Sequence, residues 1–164
     1  METRTIRRRR LAVPFTALFT LALLLPLLSA PTALQADPNY FEQRKIEAQA
    51  LETFRRVITL WQEEVYFELY DHGMASSQAR ISREAFAQRM VQLSWKPAGP
   101  LNPTHTSAQF RFRTVVYVTA QIPYRGKFNP DDTFTKKQTL LLLQEGGQWK
   151  VDLIALIRAP YSGV

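Results

Sequence analysis

Between Tyr40 and Tyr70 the apolar side chains return every three or four positions: Ile46, Ala50, Phe54, Val57 with Ile58, Trp61, Val65 and Leu69. Arg44, Lys45, Glu52, Arg55, Arg56 and Glu63 fall elsewhere on the same wheel. One apolar stripe on a charged helix predicts a long amphipathic element packed on something broad, bent or broken around Gln62–Glu64. Gly73, after Asp71-His72, is expected to cap its C-terminus. A second helix is predicted from Ser82, whose hydroxyl accepts from a first-turn amide, with Glu84 at the positive end of the dipole. Ile81 and Phe86 stand at the staple positions, and Phe86 and Met90, with Val91 or Leu93, form the face it buries.

The stretch from Lys96 to Pro103 holds three prolines and one glycine, the composition of a loop or an irregular edge. Beyond it the period changes from helical to two-residue. Phe110, Phe112, Val116, Val118, Ala120 and Ile122 alternate with Arg111, Arg113, Val115, Tyr117, Thr119 and Gln121, which predicts one long strand. Asn129-Pro130-Asp131-Asp132 turns the chain, and a second strand runs from Phe134 to Glu145. Gly146-Gly147 then makes a tight hairpin of the primed type. A third strand is predicted from Gln148 to Arg158, with Leu142 opposite Val151 and Leu140 opposite Leu153. The fold class is α+β, with Trp61, Phe54 and Phe86 expected to meet Val116, Val118, Leu142 and Val151 between helices and sheet.

The first 36 residues differ in kind. Arg4 and Arg7-Arg8-Arg9-Arg10 lead an apolar stretch from Leu11 to Leu28 that closes on small residues ending at Ala36, the layout of a secretory signal peptide. Cleavage there leaves residues 37–164 as one exported domain, periplasmic or secreted. An uncleaved segment 11–30 is long enough to anchor the chain in a membrane, with the domain on the same side. The leucine-rich core fits the general secretory route, and the paired arginines also fit the twin-arginine route. With no cysteine in the chain, disulfides, thiol catalysis and a lipid on cysteine are all excluded. The net charge of +7 overstates the basic character of the domain. Five of the 21 Lys and Arg and one of the 14 acidic residues lie in the first 36, which leaves 16 basic against 13 acidic. These alternate in sign, without the basic stripe and interleaved aromatics of a nucleic-acid binder, so no nucleic acid is expected.

Two stretches narrow the fold. Trp61-Gln62-Glu63-Glu64-Val65-Tyr66-Phe67-Glu68-Leu69-Tyr70-Asp71 reads as a helix-to-helix passage in which a tryptophan precedes an aromatic-rich turn ending in Tyr-Asp. Gly147-Gln148-Trp149-Lys150-Val151 reads as a Gly-x-Trp-x-Val hairpin opening a last strand. With the order long helix, short helices, antiparallel strands, they resemble the nuclear transport factor 2-like (cystatin-like cone) superfamily over nearly all of residues 37–164. The resemblance implies N-terminal helices packed on a curved antiparallel sheet, a cone-shaped fold with a cavity open at one end. It says little about activity, since members include isomerases, dehydratases, cyclases, transport adaptors and accessory domains of cell-wall enzymes.

Enzymes of that superfamily place an Asp, a His or a Tyr in the cone, and the groups available here are Tyr66, Tyr70, Asp71, His72, His105 and Asp152. Each has a simpler reading. Asp71-His72 sit at a helix end, His105 follows a proline-rich loop, and Asp152 is expected on the strand face turned away from the core. Trp61, Trp95 and Trp149 suit a cavity lining and equally a core. Two histidines without His-x-x-x-His spacing predict no metal site, no Gly-x-Ser-x-Gly elbow is present, and no catalytic or cofactor-binding residue is assigned. The signal that stands out is a pair of strands apolar on both faces. Leu140, Leu142, Trp149, Val151 and Leu153 should meet the helices. Leu141, Leu143, Ile154 and Leu156, joined by Val115 and Tyr117, make a second apolar face where a solvated sheet would carry polar residues. The same face of a second copy is the simplest cover, giving a homodimer. The expected function is an exported non-catalytic domain that binds a small apolar ligand or a protein partner, such as an envelope protein, through its cone or sheet face. The alternatives are a cone-fold isomerase or dehydratase-type enzyme and a structural accessory subunit of an envelope complex.

Overall fold

The computed structural model describes residues 39–162; the expected signal segment and its Ala36 cleavage point lie outside them. Helix α1, Tyr40–Gln62, starts at Asn39, whose side chain accepts from the Glu42 amide at 2.9 Å. Its predicted stripe is buried at Ala50, Phe54, Val57, Ile58 and Trp61, with Leu60 beside them, while Ile46 is half-buried and Val65, beyond the helix end, is exposed. The helix breaks in the expected place. Val65 N–H donates to the Leu60 carbonyl at 2.9 Å and Glu64 N–H to that of Trp61 at 3.2 Å, the paired closure that ends many helices. The left-handed position of this closure, usually a glycine, is Glu64 at φ 60°. A side chain there costs about 1–2 kcal/mol, and a 2.5 Å ion pair from the Glu64 carboxylate to Lys96 Nζ offsets part of it.

Three short helices follow: α2 (Tyr66–Asp71), α3 (Ala75–Gln78) and α4 (Arg83–Gln92). As predicted, Ser82 caps α4, its hydroxyl accepting from the Ala85 amide at 3.2 Å, and Ile81 and Phe86 are both buried. Met90 and Leu93 complete the buried face, while Val91 is exposed.

The strands are β1 (Trp95–Pro97), β2 (Thr106–Phe112), β3 (Val115–Gly126), β4 (Thr133–Glu145) and β5 (Gln148–Val151). Strand β3 is the spine. One edge carries β2 and β1 end to end, and the other pairs with β4 from Val115↔Leu143 to Arg125↔Thr133. Strand β5 adds to β4 from Leu142↔Val151 to Glu145↔Gln148, through Gly146 and Gly147 at φ 57° and 79°. Positive φ at both central residues is what the primed turn demands. All pairs are antiparallel, and the sheet is a strongly curled half-barrel with a helix packed on it. The architecture is α+β. Phe54, Trp61, Phe86, Val116, Val118, Leu142 and Val151 share one core, as the periodicities require.

Three expectations fail. The single strand from Phe110 is a hairpin, β2 turning into β3 at Arg113-Thr114. That turn has no Gly, Asn or Pro, and a register shift between Phe110 and Phe112 keeps the apolar positions on one parity across it. The third strand stops at Val151. Asp152 Oδ1 accepts from the Ile154 amide at 2.8 Å and the Ala155 amide at 3.4 Å, and Leu153–Arg158 is a helix, α5. Leu153 and Leu156, one helical turn apart, are fully buried, so Leu153 does not pair across a ladder with Leu140.

Gly73 is the third. α2 ends at Asp71 with His72 as its cap, and Gly73 instead forms a parallel bridge with Val151. Met74 N–H donates to the Val151 carbonyl at 2.8 Å, and Val151 N–H to that of His72 at 2.9 Å. A Cβ on Gly73 would lie 2.5 Å from Leu153 Cδ1 and 2.9 Å from the Tyr70 carbonyl oxygen. Close approach of α5, rather than a left-handed φ, requires the glycine here. Gly73→Ala is therefore expected to lower the unfolding free energy by about 1–3 kcal/mol through overpacking. A urea midpoint equal to that of the unmodified protein would show that α5 does not press on this segment.

Candidate functional site

The inside of the half-barrel is occupied by side chains from both layers. Tyr124 meets Trp61 edge-on at 6.1 Å and stacks on Phe134 at 5.1 Å, and Phe134 meets Trp95 edge-on at 4.8 Å. Tyr124 has no exposed surface, and burial pushes the ionisation of its hydroxyl upward. Its hydroxyl and the indole N–H groups of Trp61 and Trp149 have no hydrogen-bond partner among the described residues. No carboxylate is buried with them; the buried polar residues among those described are Ser77 and Gln138. Helix α5 adds Leu153 and Leu156 to this interior. The turn after it is tied to the inner side of β4, where Gln138 Nε2 donates to the Ala159 carbonyl and Lys136 Nζ to that of Pro160.

The six titratable candidates are dispersed. The Tyr66 hydroxyl accepts from Lys127 Nζ at 2.9 Å, and the same ammonium donates to the Met90 and Val91 carbonyls in the last turn of α4. Burial draws the Lys127 pKa down; its contacts make it a tie between the turn after β3 and α4, and no local sequence signal marks it. Tyr70 donates to the Ile81 carbonyl at 3.0 Å, and Asp71 pairs with Arg83 at the surface. His105 is exposed in a single 3₁₀ turn, Pro103–His105. Asp152 caps α5 and is not on a strand face. His72 borders an open hollow of about 430 Å³ with Glu52, Gln144 and Trp149. Among the described residues no hydrogen bond joins the side chains of any two of the six. Among the described residues no group of three or more His, Asp or Glu could hold a metal ion, and no helix is long and apolar enough to cross a membrane.

The outer face of the sheet does bring predicted residues together. Val115 stands directly opposite Leu143, and Tyr117 opposite Leu141. Tyr117 and Leu141 are exposed and the other two half-buried. Ile154 and Leu156 are not on this face. Both belong to α5, where Leu156 is fully buried and Ile154 packs against the core. In their place the face carries cations. The Arg111 guanidinium lies 5.6 Å over the Tyr117 ring, and Lys137 and Lys150 sit on the same side of β4 and β5. Within the strands β2, β3, β4 and β5 the sole carboxylate is Glu145 at the hairpin end, which accepts from the Ala75 amide at 2.8 Å; Asp131 and Asp132 lie in the turn between β3 and β4.

One edge of the sheet is open. Gln144 N–H donates to the Thr114 carbonyl at 2.8 Å, so the even-numbered residues of β4 turn their backbone groups to β3 and the odd-numbered ones turn away. Strand β5 meets the odd-numbered set only at Leu143 and Glu145. Among the described residues Thr133, Thr135, Lys137, Thr139 and Leu141 face no strand, because the chain leaves the sheet at Asp152. Between this edge and α5 lies a cleft of about 280 Å³, lined by Arg80, Gln138, Leu140, Asp152 and Arg158 among others. Set against known proteins, the chain matches no family model and no curated protein.

The His72 environment has a pH consequence. Burial, followed by the charge of Lys150, holds its pKa below the ordinary 6.5. The folded state thus favours neutral imidazole, a contribution fully present above the unfolded pKa and lost as pH falls through it toward the folded value. His72→Gln is expected to flatten the decline of stability between about pH 7 and pH 5. Denaturation curves across that range with an unaltered slope would contradict this.

Proposed function

We propose that this is an exported, non-catalytic recognition domain of the nuclear transport factor 2-like kind that binds a protein partner on the outside of its sheet. The observation that carries the proposal is the filled interior. Tyr124, Trp61, Leu153 and Leu156 occupy the space in which a cone would hold a small apolar ligand or a catalytic carboxylate. What the fold presents instead is a sheet surface with opposed apolar pairs and an open edge. The curled sheet over α1 supports the family reading, and the arginine-led apolar N-terminus with no cysteine supports export.

An acidic partner fits the outer face better than a second copy does. Without Ile154 and Leu156 the apolar patch reduces to Val115, Tyr117, Leu141 and Leu143, flanked by Arg111, Lys137 and Lys150. A two-fold contact would bring two cationic faces together, whereas complementary charge favours association. Native mass spectrometry of protein taken from its own compartment tests the reading. The expected species is one copy, free or with a different protein, and without a small molecule. A stoichiometric apolar molecule would make it a ligand carrier, and a stable dimer would restore self-association.

A further inference from the structure

We infer that the open edge of β4, from Thr133 to Leu141, is a strand-addition site for an extended acidic segment of a partner protein. The inference rests on the partner-binding reading above and names its site and its chemistry. Five alternate residues offer an N–H and a carbonyl each toward the same side, at the repeat of about 6.7 Å that a second strand matches. Such groups are satisfied by water or by another strand, and an exposed edge is a template for the latter.

Room for that strand exists because of α5. Had the chain continued beyond Val151 as a strand, it would have run along Leu140 and Gln138. Instead Asp152 starts a helix, and the cleft beside Gln138, Thr139 and Leu140 stays open. The two arginines lining the cleft, Arg80 and Arg158, have no ion pair among the described residues. The cleft's carboxylate, Asp152, already accepts from two amides of α5. Lys137 lies on the outer side of the same stretch, with the Thr119–Thr139 pair between it and the Leu141–Tyr117 pair. A segment alternating acidic and apolar residues would therefore meet guanidinium groups on one side and, on the other, Lys137 among threonines with Leu141 at the end of the edge. Main-chain pairing would supply affinity, and the alternate side chains specificity.

A second copy of β4 is the wrong occupant. Residues 133–141 carry Lys136 and Lys137 and no acid, so antiparallel self-pairing would gather four lysines. Lysines on an edge guard against self-association, and here they also select the charge of what may pair.

The probe is an acetylated, amidated peptide of four Glu-Val repeats. Its controls are the same peptide with alternate backbone nitrogens methylated and a Lys-Val version. At ten times its dissociation constant the Glu-Val peptide is expected to slow amide exchange at Thr135, Lys137 and Thr139 about tenfold. Gln138 and Leu140, bonded to β3, should not change, and neither control should protect. Lys137→Pro removes one outward N–H without touching the β3 ladder, and should abolish protection. Should that variant not fold, Arg80→Glu with Arg158→Glu is expected to weaken binding at least tenfold while leaving the fold intact. Absence of protection at millimolar peptide, or equal binding of the methylated peptide, overturns the inference. So does dimerisation through β4 in the unmodified protein. Failure of the broader reading shows elsewhere, as a retained apolar molecule in the mass spectrum.

Discussion

Two hydrogen bonds that the Asp152 carboxylate accepts from the Ile154 and Ala155 amides turn the chain out of the sheet, and much of the molecule follows from that turn. A capping carboxylate contributes about 0.5–2 kcal/mol, less than the burial of Leu153 and Leu156 at about 1.5–3 kcal/mol each. The cap sets the direction and the leucines hold it. A helix of six residues has no stability of its own, so α5 exists because its leucines are in the core. Its presence in turn requires glycine at position 73, fills the interior of the half-barrel, and ends β5 after four residues.

The same event explains which parts of the structure were legible. Helix α1, its break before Val65, the Ser82 cap and the Leu142↔Val151 register all rest on local signals that tertiary packing left unopposed. Leu153-Ile154-Ala155-Leu156-Ile157 is apolar at every position, so it satisfies a two-residue and a helical period alike. The deciding signal was Asp152 directly before the run, a helix-start residue. A strand over that stretch would put Ile154 and Leu156 on the outer face, where only Val115, Tyr117, Leu141 and Leu143 of the predicted set lie. The Arg113-Thr114 turn carries no turn chemistry. Arg80 and Arg158 are 78 positions apart and flank one cleft only because α3 and α5 pack together.

Polar groups mark where this packing is least complete. The Tyr124 hydroxyl and the Trp61 indole N–H are buried without partners among the described residues, each a cost of about 1–3 kcal/mol. Glu64 adds backbone strain at the α1 break. These features lie on the inner side of β3 and at the α1 terminus, whereas Arg111, Lys137 and Lys150 lie on the outer face of β2, β4 and β5, and the open edge is that of β4. Interior and exterior thus differ: the inside is filled by packed side chains, and the outside carries cations and unpaired strand groups.

Amide hydrogen exchange in the free protein tests most directly whether α5 leaves the sheet edge open. The structure requires alternation along β4 from 133 to 141, with Thr135, Lys137, Thr139 and Leu141 exchanging fast between slow Lys136, Gln138 and Leu140. From Leu142 to Glu145, where β5 is present, both parities should be protected. Uniform protection across residues 133–141 would contradict the account, because it would mean that a strand or the chain's own C-terminal segment already occupies the edge.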